Sequence, residues 1–209
     1  MNSFFVAISG ASGAVYGIRF TEVLAGLGYE PFFTVTDSAR LVIREELGIE
    51  IDDLKNGRFL NDLFSPAVAE KIRYVHYQDL LSPVASGSAG TSAMVVIPCS
   101  VSMVARIACG ISGNLVERAA DVMIKERRRL ILVPRETPFS AIHLENMLKL
   151  ARLGTDIVPA CPGFYGKPGT VEDLVDFVAG KVFDLLGIET GLLKRWRTPD
   201  PFFRGSFGR

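Results

Sequence analysis

Residues 4–17 read Phe-Phe-Val-Ala-Ile-Ser-Gly-Ala-Ser-Gly-Ala-Val-Tyr-Gly. A short apolar run ends in small residues and a helix-like pattern follows. That pattern predicts a strand feeding a tight turn at a helix N-terminus. Unpaired backbone N–H groups and the positive end of the helix dipole meet at such a place, and both favour a phosphate. Gly10 and Gly13 let the backbone approach an anion, while Ser9 and Ser12 add hydroxyls. The same residues also read as a plain strand–helix turn. The glycines at 10, 13 and 17 give G-x-x-G-x-x-x-G, not the G-x-G-x-x-G of dinucleotide sites. The spacing therefore argues against a dinucleotide and for a mononucleotide.

In an open parallel sheet, ligands bind beyond the carboxyl ends of the strands. The residues that follow each apolar run are thus the other candidates. They are Thr36, Asp37 and Ser38; Ser100, Val101, Ser102 and Met103; Arg135, Glu136 and Thr137; and Gly163, Phe164 and Tyr165. Hydroxyls and small residues dominate, with an arginine and a carboxylate among them, which suits a phosphorylated, planar, partly apolar ligand. Asp37 reads either as a ribose-binding acid or as a helix N-cap, and the missing fingerprint favours the cap. Ser100 and Ser102 read as ligand groups or as caps of the next helix. Arg118 and Lys125 lie seven residues apart on one helix face, and by pattern alone they form a solvated basic stripe. His76 and His143 stand alone, so no metal site is expected. Trp196 reads as a core anchor or as a cover over an apolar ligand.

The elements that must position these residues alternate along the chain. Apolar runs at 4–8, 31–35, 72–76, 93–98, 130–134 and 156–160 predict strands. Helical periodicity occupies 13–27, 38–48, 101–109, 114–128, 140–153 and 171–186. This alternation predicts an α/β fold, a three-layer, doubly wound, Rossmann-like mostly parallel sheet. Residues 50–71 show no clear period, and residues 82–92 read as a small-residue loop. The 209 residues, 48% hydrophobic, favour one domain over 1–197, with an irregular tail over 198–209. Equal numbers of Lys+Arg and Asp+Glu, 23 each, point to no nucleic-acid or membrane partner. Three scattered cysteines and the lack of a signal-peptide pattern predict a reducing, cytoplasmic setting, and no apolar run is long enough to span a membrane.

Taken together, the motifs resemble those of the UbiX-type flavin prenyltransferases. The resemblance is carried by Ile8–Gly17, Ala85-Ser86-Gly87-Ser88, Ile97-Pro98-Cys99-Ser100, Glu117–Val122, Ile124–Arg128, Val133–Pro138, His143–Met147 and Pro162–Tyr165. It implies an enzyme that binds reduced FMN and joins the dimethylallyl group of dimethylallyl monophosphate to flavin N5 and C6. Phosphate is released without a metal. The resemblance also implies a homo-oligomer, commonly a dodecamer, whose product serves a UbiD-type decarboxylase.

Carried over residue by residue, it assigns FMN binding to Gly10, Ala11, Ser12, Thr36, Ser100, Val101, Ser102, Met103 and Arg135. Dimethylallyl phosphate falls to Arg118, Lys125, Arg135, Tyr165 and Lys181, with Trp196 as a cover and Ser86, Gly87 and Ser88 supplied by a neighbouring subunit. Catalytic roles fall to Glu46 near flavin N5, to Glu136 with Ser12 as a proton relay, and to Lys125. Donors around the departing phosphate would stabilise the charge that grows there. Leu80, Thr36 and Lys181 depart from the tryptophan, serine and arginine found in some members. Two alternatives are an FMN-dependent cysteine decarboxylase and a flavin-binding module without chemistry. Against the first, no histidine precedes His76 and no Pro-Ala-Ser-Ala-Asn-Thr stretch is present.

Overall fold

A computed structural model of the chain describes residues 3–193. Six strands form one parallel sheet: β1 (Ser3–Ile8), β2 (Phe32–Val35), β3 (Arg73–Tyr74), β4 (Thr91–Cys99), β5 (Arg129–Pro134) and β6 (Asp156–Ile157). Their order is β3-β2-β1-β4-β5-β6. The chain winds outward from β1 to one edge, returns to β4, and winds to the other edge. The order reverses between β1 and β4, and a crevice opens there beyond the strand ends.

Alternation along the central strands explains why both faces are covered. Phe4, Val6 and Ile8 of β1 enter one apolar layer with Ala93, Val95 and Ile97 of β4. Phe5 and Ala7 enter the other with Met94 and Val96. Every residue is apolar, as a strand buried on both sides requires. The first layer packs under α1 (Ala14–Gly26) and α8 (Val171–Leu186), where Phe20 stacks on Phe183 at 4.4 Å. The second packs under α5 (Val101–Ala108), α6 (Leu115–Lys125) and α7 (Ala141–Arg152).

The segment over 50–71 places Ile51, Leu54, Phe59, Leu60 and Phe64 in the first layer. It does so with two single-turn helices, α3 (Leu60–Leu63) and α4 (Pro66–Ala69), which follow α2 (Asp37–Leu47). One turn is too short to show a period. The 82–92 segment is more ordered than a loop: two 3-10 turns, Pro83–Ala85 and Gly87–Ala89, precede β4, which already begins at Thr91. Edge strands β3 and β6 are two residues each, shorter than their apolar runs; beyond β6 the Val158 and Ala160 N–H groups still donate to the Leu132 and Pro134 carbonyls, while Pro159 between them has no N–H to give. No helix among the described residues is long and apolar enough to cross a membrane. Trp196 and the tail over 198–209 lie outside the described residues.

Candidate functional site

The three glycines of the first turn serve three different needs. A Cβ on Gly10 would lie 2.3 Å from Cβ of Ser38, so Gly10 lets the β1 turn touch the start of α2. Gly13 is the α1 N-cap at φ 99°, and a side chain there would strike the Tyr16 ring. A Cβ on Gly17 would lie 2.1 Å from the Ile97 carbonyl oxygen, so α1 packs directly on β4. Ser9 does not offer its hydroxyl to a ligand. It is buried, donates to the Pro98 carbonyl at 3.1 Å and accepts from the Ser100 N–H at 2.8 Å. It thereby ties the ends of β1 and β4 together across the switch point.

The α1 N-terminus holds an anion, though not a phosphate. Both oxygens of the Glu46 carboxylate accept from the Gly13 N–H, at 3.0 and 2.9 Å, and one also accepts from the Ala14 N–H at 3.0 Å. A side chain from the end of α2 therefore occupies the amides that the turn was expected to offer a ligand. Beside it, Arg135 donates from Nε to the Ser12 carbonyl at 3.3 Å, and its own N–H donates to the Cys99 carbonyl at 3.3 Å. Glu136 accepts from the Thr137 N–H at 2.9 Å. The β1 turn thus brings Ser12, Glu46, Arg135 and Glu136 to one end of the sheet.

Tyr16 joins this group and was not anticipated from the sequence. Its phenol is raised above the usual range, chiefly by burial, with Cys161 and Glu46 adding to the shift and Arg135 opposing it. Spacing along α1 gives no hint of this, because Tyr16 reads as one more apolar position.

Next to the turn lies a cleft of about 290 Å³, close to the lower end of the usual 300–1,000 Å³ for small-molecule sites. Gly10, Thr36, Ser38, Ser100 and Ser102 line it, so the N-termini of α2 and α5 both open into it. The Thr36 hydroxyl caps α2 by accepting from Ala39 N–H at 3.2 Å, and the Ser100 hydroxyl caps α5 by accepting from Met103 N–H at 3.2 Å. Ser100 and Ser102 hydroxyls lie 3.0 Å apart. Asp37, also a candidate from the sequence, lines the cleft too, whereas Tyr77, Arg106, Asn114 and Glu117 were missed. Tyr77 donates to Asp37 Oδ2 at 2.5 Å, and burial together with that bond pushes its phenol up to about 12. Asp37 is thus the first residue of α2 and partner of Tyr77, with Thr36 as the cap. Two helix N-termini, several hydroxyls and a guanidinium are the donor set a phosphate needs.

The remaining candidates sit elsewhere. Arg118, on α6, donates to the Ala85 carbonyl at 3.2 Å and pairs with Asp121 at 3.2 Å. Lys125 ends α6 and lies 3.5 Å from the Glu126 carboxylate, which itself packs on Gly87. Ser86 and Ser88 hydroxyls face each other at 2.9 Å, and Arg128 donates to the Gly87 carbonyl at 2.6 Å. Lys125 and the Ser86–Ser88 turn stand at the amino end of β4 and β5, whereas Arg118 lies near the start of α6, next to Glu117. Arg135 and Glu136 stand at the carboxyl end, and the six residues of β5 between them span about 20 Å. One chain therefore does not bring Lys125 or the Ser86–Ser88 turn to Glu136. Tyr165 is exposed and packs edge-on against Phe177 at 5.7 Å, while Lys181 is exposed about three turns into α8.

No cluster of metal-ligating side chains occurs among the described residues. His143 accepts from the Ser140 N–H at 3.2 Å in a capping box, and His76 accepts from the Gln78 N–H at 3.2 Å. The lone histidines thus have local structural partners.

The Flavoprotein family model matches residues 2–183. The flavin prenyltransferase UbiX of Halalkalibacterium halodurans is 50% identical over 191 residues, covering 91% of each chain. Among solved structures, a UbiX protein in complex with FMN and dimethylallyl pyrophosphate is 38% identical, with a TM-score of 0.81 over 93% of this chain and 97% of that one. A dodecameric FMN-dependent UbiX-like decarboxylase from Escherichia coli O157:H7 is 36% identical, with a TM-score of 0.81 over 93% and 99%. With half of the aligned residues identical over 91% of its length, the chain belongs to the UbiX family of flavin prenyltransferases.

Proposed function

We infer that this chain is a flavin prenyltransferase that joins the dimethylallyl group of dimethylallyl monophosphate to N5 and C6 of reduced FMN. The carrying observation is the hydroxyl-lined cleft at the β1/β4 switch point, which shares the β1 turn with Ser12, Glu46 and Arg135. In the overall change, the ester C–O bond breaks and the five-carbon unit bonds to both ring atoms. Two protons leave the ring, from N5 and C6; one is taken up by the prenyl double bond as the second bond forms and the other leaves with the phosphate. Reduced FMN, when bound, supplies the two nucleophilic atoms.

The residues divide the remaining work. Gly10, Ala11, Ser12, Thr36 and Ser100 to Met103 hold the nucleotide, with its phosphate toward the N-termini of α2 and α5. Glu46, held by the Gly13 and Ala14 amides, is an acceptor for a ring proton. Arg135, Arg118, Lys125, Tyr165 and Lys181 stabilise charge on the departing phosphate. Ser12 and Glu136 carry a proton to it, and Trp196 covers the prenyl group. Because Lys125 and the Ser86–Ser88 turn lie a strand length from Glu136, a complete site combines two copies. A two-copy site requires a homo-oligomer, read as a dodecamer from the likeness to the dodecameric UbiX-like structure, and the same family likeness makes a UbiD-type decarboxylase the recipient of the product. The cysteine-decarboxylase alternative is not favoured, for want of its histidine and asparagine loop. A bare flavin carrier would not need a second set of phosphate donors.

The test is anaerobic incubation of purified protein with reduced FMN and dimethylallyl monophosphate, read by mass spectrometry. The expected product is a flavin heavier by one five-carbon unit, with phosphate released in equal amount. Bound FMN without that product would refute the transferase reading.

A further inference from the structure

Arg106 lies in the last turn of α5, where its charge could be read as no more than a complement to the helix dipole. The structure gives it a more defined place. Its Nε and Nη2 donate to the Glu117 carboxylate at 2.5 and 3.3 Å. Glu117 is fully buried, and the Gly113 N–H at 2.7 Å and the Asn114 side-chain amide at 2.8 Å complete its set of donors. A buried carboxylate thus fixes the plane of a guanidinium that is itself 47% exposed. Nη1 has no hydrogen-bond partner among the described residues. The guanidinium borders the same cleft as Thr36, Ser38, Ser100 and Ser102, and it is the single cation among the side chains that line it.

Charge decides what this arrangement favours. Two carboxylates line the cleft: Glu117, paired with Arg106, and Asp37, which opposes an incoming dianion. Hydroxyls and helix ends offer partial charges; the one cationic group is the Arg106 guanidinium, partly offset by Glu117 and leaving Nη1 for a ligand. Its planar fork can hold Glu117 with one edge and a phosphate oxygen with Nη1.

We propose that Arg106 is a specificity-determining residue that reads the phosphate of the flavin nucleotide, with Glu117 as the positioning residue that aims it. This rests on the FMN reading above. The phosphate lies against the α2 and α5 N-termini, and Arg106 distinguishes FMN from riboflavin, which lacks the phosphate.

The experiment is a fluorescence titration of the full chain with FMN and, separately, with riboflavin. R106M is expected to weaken FMN binding at least tenfold and to leave riboflavin binding unchanged. R106K retains a cation beside Glu117 but loses the fork, and should fall between the two. It also keeps the test valid if R106M folds poorly. Equal weakening of both flavins in R106K would show a structural role and overturn the proposal, as would unchanged FMN affinity in either variant. Wild-type protein that binds neither flavin would overturn the prenyltransferase reading and this inference with it. Wild-type binding with indifferent variants would overturn only the inference.

Discussion

An incoming phosphate at the α1 N-terminus would have to displace the Glu46 carboxylate, which three contacts already hold to the Gly13 and Ala14 amides. The same contacts limit how far Glu46 can move, so its oxygens are fixed relative to the β1 turn. Glu46→Gln should therefore act in two ways. The amide loses the favourable charge at the helix end, for a loss of about 1 kcal/mol in urea denaturation. It also cannot take up a ring proton, and turnover should fall on the order of a hundredfold or more. A variant as active as the parent would remove Glu46 from the chemistry while leaving its capping role intact. The residue-level lesson is that G-x-x-G-x-x-x-G identified the turn, but not the occupant of its amides. Glu46 is more than thirty residues from Gly13 in sequence, and only the packing of α2 on α1 brings them together.

At the scale of elements, the switch point is held by Ser9 between β1 and β4 and by the direct packing of α1 on β4 at Gly17. Ser9→Ala would leave the Ser100 N–H without that acceptor where the cleft begins. We expect a loss of about 1–3 kcal/mol in stability and weaker flavin binding by titration. Unchanged stability would mean that Ser9 is not the tie described. The strands and long helices were legible because apolar runs alternate with helical periods, and the central strands face apolar layers on both sides. The edge strands were overread, since runs such as 72–76 and 156–160 continue past the regular ladder only as single backbone bonds, Val75 to Phe33 and Ala160 to Pro134. The cleft was half legible. Residues directly after strands, such as Thr36 and Ser100, follow from topology. Arg106, Asn114 and Glu117 do not, because the α5–α6 connection folds back on the strand ends and no spacing announces it.

For the whole molecule, the length of the sheet becomes the main constraint. Lys125 and the Ser86–Ser88 turn stand at its amino end, Arg135 and Glu136 at its carboxyl end, with β5 between. α7 also exposes Ile142, Leu144 and Leu148, with Leu153 exposed just beyond its end, an apolar surface suited to burial between copies. Under the proposed two-copy site, Lys125→Ala and Glu136→Gln should each be nearly inactive alone. Co-expressed, they should recover a clear fraction of transferase activity, because some sites then combine two intact halves. No recovery in mixed assemblies, verified by native mass spectrometry, would mean that both residues serve one chain. A catalyst divided in this way also obeys mass action. Its rate per molecule would fall on dilution once copies separate, even with both substrates saturating. The amount of protein a cell makes would then govern how well each molecule works, and low expression would carry a penalty steeper than proportional.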